Sequence, residues 1–159
     1  MNKKIVNIKE LKKILAIKKK QNKIIAFTNG CFDLLHYGHI KYLNRAKELA
    51  DILIVGINTD ASVKKIKGKK RPITSLKQRM EIIAGLEAVD YVISFSETTP
   101  YNLIKIIKPD ILIKGGDWKR KDIVGKDIVE AYGGKVITIP YIKGISTTNI
   151  IKRVVQRFS

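Results

Sequence analysis

Cysteine, acidic residues and long apolar runs are all scarce in this sequence. The 159 residues include one cysteine, Cys31, so no disulfide can form within the chain. No apolar stretch approaches the roughly 20 residues that a membrane-spanning helix needs. The first residues, Met1 to Asn7, lack the apolar segment and the cleavage site of a secretory signal. These absences argue against a disulfide-stapled secreted protein and a membrane protein, and we expect a cytoplasmic one.

The shortage of acidic residues leaves the chain strongly basic. Fourteen Asp and Glu residues stand against 32 Lys and Arg residues, which gives a net charge of +18. Such a charge is typical of proteins that bind nucleic acid or an anionic membrane surface. However, only six basic residues are arginines, aromatic residues make up 7%, and isoleucine is abundant, which together indicate a general compositional bias. A nucleic-acid-binding module stays open as an alternative, but we expect neither a nucleic-acid nor a membrane partner.

The length and apolar content fit one folded domain with a short basic segment in front. The apolar fraction of 45% and the charged fraction of 29% are close to the averages of globular proteins. Residues 1–22 predict a basic amphipathic helix, because Ile8, Leu11, Ile14 and Leu15 recur at helical spacing. Residues 23–159 then form the main domain.

Beyond residue 23, short apolar runs alternate with segments of helical periodicity. The runs are apolar throughout, as in strands covered on both faces: Ile24–Thr28, Ile52–Ile57, Tyr91–Phe95, Ile111–Lys114 and Val136–Ile139. The periodic segments predict helices: His39–Ala50, Leu76–Leu86, Tyr101–Ile107, Ile123–Tyr132 and Thr147–Phe158. This alternation predicts an α/β fold with a doubly wound, five-stranded parallel sheet, whose ligands bind beyond the carboxyl ends of the strands.

The only two histidines of the chain follow the first predicted strand. His36 and His39 lie on either side of Gly38 at the start of a helix, where unpaired N–H groups and the helix dipole attract anions. Two imidazoles at this place can donate hydrogen bonds to phosphate oxygens. The alternatives are a surface pair beside a turn, or a metal site without a third ligand at a suitable spacing. The Walker A and GxGxxG patterns are absent, which excludes a P-loop kinase and an ordinary dehydrogenase.

The residues around these histidines resemble a known family. Gly30-Cys31-Phe32-Asp33 followed by His36-Tyr37-Gly38-His39 is similar to the HxGH signature of the nucleotidyltransferase superfamily (the cytidylyltransferase-like enzymes). Over residues 24–157, the chain resembles the adenylyltransferase domain of the bacterial bifunctional heptose 7-phosphate kinase/heptose 1-phosphate adenylyltransferase. A kinase domain precedes that domain, whereas a short basic helix precedes this one, so we expect a stand-alone transferase. Three further stretches carry the resemblance: Gly144–Thr148, Ile113–Trp118 and Lys64–Met80.

The resemblance implies a Rossmann-like fold and a specific reaction. AMP would pass from ATP to D-glycero-D-manno-heptose 1-phosphate, giving ADP-heptose and pyrophosphate for synthesis of the lipopolysaccharide core. An oxygen of the sugar phosphate would attack the α-phosphorus in line, with Mg²⁺ bound to ATP and with neither a general base nor a protein nucleophile. The alternative within the same chemistry is a glycerol-3-phosphate cytidylyltransferase-like enzyme that uses CTP. The resemblance also implies a homodimer.

Residue roles follow from the same resemblance. His36, His39 and Lys67 would be catalytic and stabilise the phosphates, with Lys67 on a mobile loop. Asp33, Lys64 and Arg79 would bind the sugar phosphate, although Lys64 to Arg71 can also be read as a solvated charge run. No metal ligand is expected from the protein, because Mg²⁺ would be held by the triphosphate and water. The nucleotide would contact Thr28, Asn29, Cys31, Phe32, Gly38, Gly115, Asp117, Ser146, Thr147 and Thr148.

Overall fold

A five-stranded parallel sheet forms the centre of the protein, which we describe from a computed structural model covering residues 2–116 and 122–159. The strand order is β3-β2-β1-β4-β5, so the chain starts in the middle of the sheet and winds outward to both edges. The predicted doubly wound α/β fold is therefore confirmed. Its strands are β1 (Ile25–Gly30), β2 (Ile52–Asn58), β3 (Tyr91–Phe95), β4 (Ile111–Gly115) and β5 (Lys135–Ile139).

Helices cover both faces of this sheet. We call the side packed by α2 and α4 the α2 face, and the side packed by α1, α5 and α6 the α1 face. Successive strand residues alternate between these faces, so Ala26 lies in the cluster of the α2 face and Phe27 in that of the α1 face. The helices are α1 (Ile8–Lys20), α2 (Tyr37–Glu48), α3 (Asp60–Lys67), α4 (Leu76–Ala84), α5 (Tyr101–Ile107), α6 (Lys126–Ala131) and α7 (Thr147–Phe158).

The basic N-terminal helix contributes to the same core as the sheet. Asn7 begins α1 with a capping box, because its side chain accepts N–H bonds from Lys9 and Glu10 and the Glu10 carboxylate accepts the Asn7 N–H. Leu11 and Leu15 are buried in the cluster of the α1 face. Helix α1 therefore shares a hydrophobic core with the residues that follow it.

Residues 60–67 form a helix, and the prediction of a mobile loop at Lys67 is wrong for this segment. The Thr59 hydroxyl accepts the N–H of Ser62 at 3.3 Å and starts α3. Ser62 and Val63 are buried against the sheet, while the lysines of the helix face solvent. A lysine-rich segment can form a helix when a few of its residues are buried against the rest of the protein. Gly68, with φ of 95°, ends α3 in a conformation that favours glycine.

The helices within residues 2–116 and 122–159 lack the length and apolar character that crossing a membrane requires.

Candidate active site

The loops at the carboxyl edge of the sheet meet beside its central strand. The chain leaves β1 for β2 on one side, whereas β4 lies on the other side, which makes the gap between β1 and β4 the switch point of the fold. Crevices of this kind are the usual ligand sites of doubly wound sheets. The loop from β1 to α2 begins here and leads to both histidines.

The two histidine rings stack on each other at the start of α2. His36 is the residue immediately before the helix and His39 lies in its first turn, with 3.8 Å between the ring centroids and 20° between the ring planes. A Cβ atom on Gly38 would come within 3.1 Å of the His36 ring, so glycine lets the ring lie close to the backbone. The predicted pairing of the histidines at a helix N-terminus is present in the structure.

Hydrogen bonding gives the two rings different roles. The backbone N–H of His36 donates to Nδ1 of His39 at 3.4 Å, which leaves the proton of a neutral His39 on Nε2. The Nδ1 atom of His36 is buried and has no hydrogen-bond partner among the described residues. Because a buried polar atom without a partner is costly, this atom is suited to a ligand.

Burial keeps both imidazoles neutral in the unliganded protein. It lowers the pKa of His36. Burial together with the neighbouring His36 ring lowers the pKa of His39 to about 4. Neutral rings donate hydrogen bonds without holding a fixed charge, and a bound polyanion would raise both pKa values toward the protonated form.

The N-terminus of α7 lies beside that of α2. The Ser146 hydroxyl accepts the N–H of Asn149 at 3.1 Å, and the Thr147 hydroxyl donates to the carbonyl of Leu34 in the β1–α2 loop at 3.3 Å. A methyl group of Ile145 lies 3.7 Å from the Cβ position on Gly38. The exposed Thr148 follows in the first turn of α7. Two helix N-termini without acidic residues in their first turns thus face one crevice, an arrangement that attracts phosphate groups.

The floor of the crevice is formed by the end of β1 and the residues after it. The hydroxyl of Thr28 lies 2.6 Å from that of Tyr42 on α2. Phe32 has φ of 47° and places its ring 5.2 Å from that of His39. Burial raises the pKa of the Cys31 thiol, although Lys67, Arg79 and Arg71 oppose the shift. The thiol therefore stays protonated near neutral pH and is unsuited to act as a nucleophile.

An aromatic-lined cavity adjoins the start of α2. Its volume is about 450 Å³, and its lining includes Tyr37, Gly38, Tyr42 and Tyr141. The Tyr141 ring packs against the backbone at the end of β4, because a Cβ on Gly115 would meet it at 2.8 Å. The predicted nucleotide residue Gly115 thus borders the ring that lines this cavity. The predicted contact Asp117 lies outside the described residues.

Asp33 is buried and binds the segment that leads into α4. Its carboxylate accepts N–H bonds from Ile73 at 2.7 Å and Thr74 at 2.9 Å, and it also pairs with the Arg71 guanidinium. Burial opposes the charge on Asp33, but the bonds from Thr74, Arg71 and Ile73 outweigh it and hold the pKa below its ordinary value. Its predicted contact with the sugar phosphate stays a prediction, and the geometry shows that Asp33 fixes this loop.

Arg79 is fully buried and joins three segments below the crevice. Its guanidinium donates to the carbonyls of Cys31 at 2.6 Å and Thr74 at 3.1 Å, and to the carboxylate of Asp60 at 2.7 Å. These bonds hold the β1–α2 loop, the start of α3 and the segment before α4 together. The predicted phosphate contact of Arg79 stays a prediction, since its observed contacts are with the protein.

The predicted lysines of the basic stretch lie on α3. Lys64 and Lys67 are exposed in its last turn, and neither ammonium has a hydrogen bond or an ion pair within the described part of the chain. Lys67 lies near enough to Cys31 to affect the pKa of the thiol. The structure therefore brings Lys67 toward the crevice, whereas no hydrogen bond or ion pair within the described residues joins the Lys64 side chain to another predicted site residue.

Lys114 is a site residue that the sequence reasoning missed. It lies near the carboxyl end of β4, and its ammonium donates to the side-chain carbonyl of the predicted site residue Asn29 on β1. Burial lowers the pKa of Lys114 to about 8. The signal was present in the sequence, because a lysine interrupts the apolar run Ile111-Leu112-Ile113 just before two glycines.

The sequence of this chain is similar to those of known proteins. The sequence model of the cytidylyltransferase-like family matches residues 27–153. The chain is 50% identical over 156 residues to the bifunctional protein HldE of Trichlorobacter lovleyi, covering 98% of this chain and 32% of that protein. It is 56% identical over 149 residues to the HldE protein of a Nitratiruptor species, covering 92% and 31% respectively. The chain thus spans about a third of the length of these curated relatives.

Two solved structures share the fold. The lipopolysaccharide core biosynthesis protein of Thermoplasma volcanium is 30% identical with a TM-score of 0.61, over 77% of this chain and 99% of that one. The pantoate-β-alanine ligase of Francisella tularensis has a TM-score of 0.65 at 22% identity, over 96% of this chain and 76% of that one. The second similarity bears on the fold alone.

Proposed function

Because this chain belongs to the cytidylyltransferase-like family of nucleotidyltransferases, we propose that it transfers AMP from ATP to a heptose 1-phosphate. The products would be ADP-heptose and pyrophosphate. The acceptor is D-glycero-D-manno-heptose 1-phosphate, and the product serves synthesis of the lipopolysaccharide core. The order of the motifs along the chain supports this acceptor. The similar solved structure that is named for lipopolysaccharide core biosynthesis supports it too.

One observation carries the triphosphate part of the proposal. The N-termini of α2 and α7 adjoin each other. The stacked pair of His36 and His39 lies at the start of α2, and one buried nitrogen of the pair has no hydrogen-bond partner among the described residues. Helix N-termini and neutral imidazoles both favour phosphate oxygens, and together they can contact several phosphates of one nucleotide.

The reaction requires that the two substrates be positioned correctly, and it does not require a protein nucleophile. A phosphate oxygen of the acceptor is ionised near neutral pH, so it can attack the α-phosphorus without a general base. The bond from the α-phosphorus to the bridging oxygen breaks, and pyrophosphate leaves in line with the attack. His36 and His39 would stabilise the charge on the phosphate oxygens, and Lys67 would add charge from the end of α3.

The nucleotide base and the metal have separate places in this proposal. The aromatic-lined cavity beside Gly38 and Tyr141 fits a purine ring, because flat rings stack on aromatic side chains. Mg²⁺ would accompany ATP and be held by phosphate oxygens and water. Among residues 2–116 and 122–159, no cluster of three or more His, Cys, Asp or Glu side chains is placed to hold a metal ion.

We propose a homodimer as the assembly. Helix α7 leaves an apolar stripe exposed, with Val154 51%, Val155 54% and Phe158 86% accessible, and a second copy of the chain would cover it. Sedimentation velocity should show a dimer, and Val155→Glu should convert it to a monomer. A monomeric wild type would contradict this assembly. The single thiol and a nucleoside triphosphate substrate also support a cytoplasmic location.

The test of the function is a pyrophosphate-release screen. It crosses ATP, CTP and GTP with both anomers of heptose 1-phosphate and with glycerol 3-phosphate. We expect the highest kcat/KM for ATP with one heptose 1-phosphate anomer. If only CTP with glycerol 3-phosphate gave activity, the proposed substrates would be wrong. The name of the matching family, cytidylyltransferase-like, is consistent with that alternative. No pyrophosphate release from any pair would reject the transferase itself.

A further inference from the structure

The contact between Lys114 and Asn29 lies on the other side of the sheet edge from the histidines. Thr28 points to the α2 face, where it contacts Tyr42, so the next residue, Asn29, points to the α1 face. Ile113 belongs to the cluster of the α2 face and Leu112 to that of the α1 face, which places Lys114 with Leu112. The Lys114–Asn29 pair therefore stands at the carboxyl edge, on the α1 face and next to the switch point.

The Lys114 ammonium has fewer hydrogen-bond acceptors within the described residues than it can use. Its ammonium has three N–H donors, and the one acceptor that the structure gives it is the neutral Asn29 amide oxygen. Within the described residues, no carboxylate forms an ion pair with it. Burial holds its pKa at about 8, well below that of an exposed lysine. A phosphate at this place would offer the missing acceptors and charge.

In-line geometry indicates which phosphate belongs there. If the triphosphate lies against His36, His39 and the N-terminus of α7, its leaving pyrophosphate is on the α2 face. The attacking oxygen must approach the α-phosphorus from the opposite direction. That direction leads to the α1 face, where Lys114 supplies a partly buried positive charge at the carboxyl edge.

We propose that Lys114, positioned by Asn29, binds the phosphate monoester of the acceptor and orients it for attack. This inference rests on the proposed function for the identity of the acceptor as a sugar 1-phosphate. It assigns the acceptor and the nucleotide to opposite faces of one sheet edge, so Asn29, which the resemblance places against the nucleotide, would instead face the acceptor. The Lys114 ammonium would exchange its bond to Asn29 for bonds to phosphate oxygens, or hold both.

The experiment measures KM separately for heptose 1-phosphate and for ATP. Lys114→Met removes the charge while keeping similar bulk, and we expect a tenfold to hundredfold higher KM for the acceptor, with KM for ATP within about twofold. Lys114→Arg should restore most of the affinity. Lys135→Met, at an exposed lysine on the amino end of β5, is the matched control and should change neither KM.

A second variant separates binding from a structural role. Asn29→Asp would give Lys114 a carboxylate partner, so a structural lysine would be held as well as before or better. A lysine that binds phosphate would instead be neutralised, and the acceptor KM should rise at least tenfold while the thermal midpoint stays unchanged. An unchanged acceptor KM in both Lys114→Met and Asn29→Asp, or an equal rise of both KM values, would overturn the inference.

Failure of the proposed function remains distinguishable. If the wild type releases no pyrophosphate with heptose 1-phosphate, calorimetry with heptose 1-phosphate and with glycerol 3-phosphate decides the inference. Binding of either ester that weakens at least tenfold in Lys114→Met supports the assignment of Lys114. Absence of binding to the wild type, or equal binding to both proteins, rejects it.

Discussion

At the start of α2, the neutral state of the stacked histidines determines which hydrogen bonds they could form with the phosphates of a nucleotide. A charged pair at 3.8 Å would repel itself, whereas the neutral pair stacks without that cost. The backbone bond to Nδ1 of His39 leaves its Nε2 proton free to donate to a phosphate oxygen. The binding of a polyanion would then draw the rings toward protonation, so charge is supplied when it is needed.

Removing either ring should slow the chemical step. We expect His36→Ala and His39→Ala each to lower kcat by about a hundredfold, because each removes one preorganised donor to the phosphates. Rapid-quench measurement of AMP transfer at saturating ATP checks this directly. Lys12→Ala on the exposed face of α1 is the control. Turnover within about threefold of the wild type in either histidine variant would remove that residue from catalysis.

The same burial should make stability depend on pH below neutrality. His39 has a pKa of about 4 in the folded protein, below the ordinary 6.5, so the unfolded chain binds more protons between these values. Its contribution to stability is complete above pH 6.5 and is lost as the pH falls toward 4. Between pH 7 and 5, the wild type should lose about 1–2 kcal/mol more unfolding free energy than His39→Gln. Urea melts at both pH values measure this, and parallel losses would contradict it.

At the scale of elements, the site depends on how loops and helix ends are tied together. Arg79 of α4 reaches the loop after β1, the start of α3 and the segment before its own helix. Asp33 ties the same loop to residues 71–74. These bonds fix the β1–α2 loop from below, so that the histidine pair and the start of α7 meet above it.

Loss of Arg79 should therefore destabilise the fold more than it alters any single contact with substrate. Arg79→Leu leaves the carboxylate of Asp60 and two carbonyls without their donor, and we expect a loss of about 3 kcal/mol in unfolding free energy. Lys77→Leu replaces an exposed residue of the same helix and should change stability by less than about 0.5 kcal/mol. Chemical denaturation of both variants gives the comparison, and equal stabilities would refute the role of Arg79.

At the scale of the whole molecule, the chain carries a net charge of +18, and two helix N-termini without acidic residues in their first turns adjoin each other at the candidate site. The excess of lysine over arginine gives long-range attraction to phosphorylated ligands without the forked donors that read bases. The charge therefore fits a phosphorylated small molecule as well as it fits a polynucleotide. Salt dependence separates these two partners.

Nucleic acid should bind weakly and without specificity. We expect duplex DNA to bind at 50 mM salt and to lose at least a hundredfold in affinity by 200 mM, because the binding rests on released counterions. AMP transfer should change by less than about tenfold over the same range, since the helix N-termini and the histidines act at short range. Fluorescence anisotropy and the pyrophosphate assay give the two curves. Tight binding at 200 mM salt without any transferase activity would favour the nucleic-acid alternative.

The sequence by itself determined the fold class, the strands and the position of the two histidines at a helix N-terminus. Apolar runs in strict alternation with periodic segments leave few topologies for a chain of this length, and the two histidines follow the central strand. The capping box of Ser75 and Gln78 depends only on residues three positions apart in the sequence. A pattern that depends only on residues close together in the sequence can be recognised without knowledge of the fold.

Only the tertiary structure decided which groups meet across the chain. The helix at residues 60–67 depends on the burial of Ser62 and Val63 against the sheet, which a lysine-rich stretch hides. Arg79 became a buried clamp because its partners come from Cys31, Asp60 and Thr74, at separations that no local pattern encodes. Lys114 forms its hydrogen bond with Asn29, a residue 85 positions away in the sequence. Burial and pairing at long range determine the surroundings of these groups, and both arise only when the strands come together.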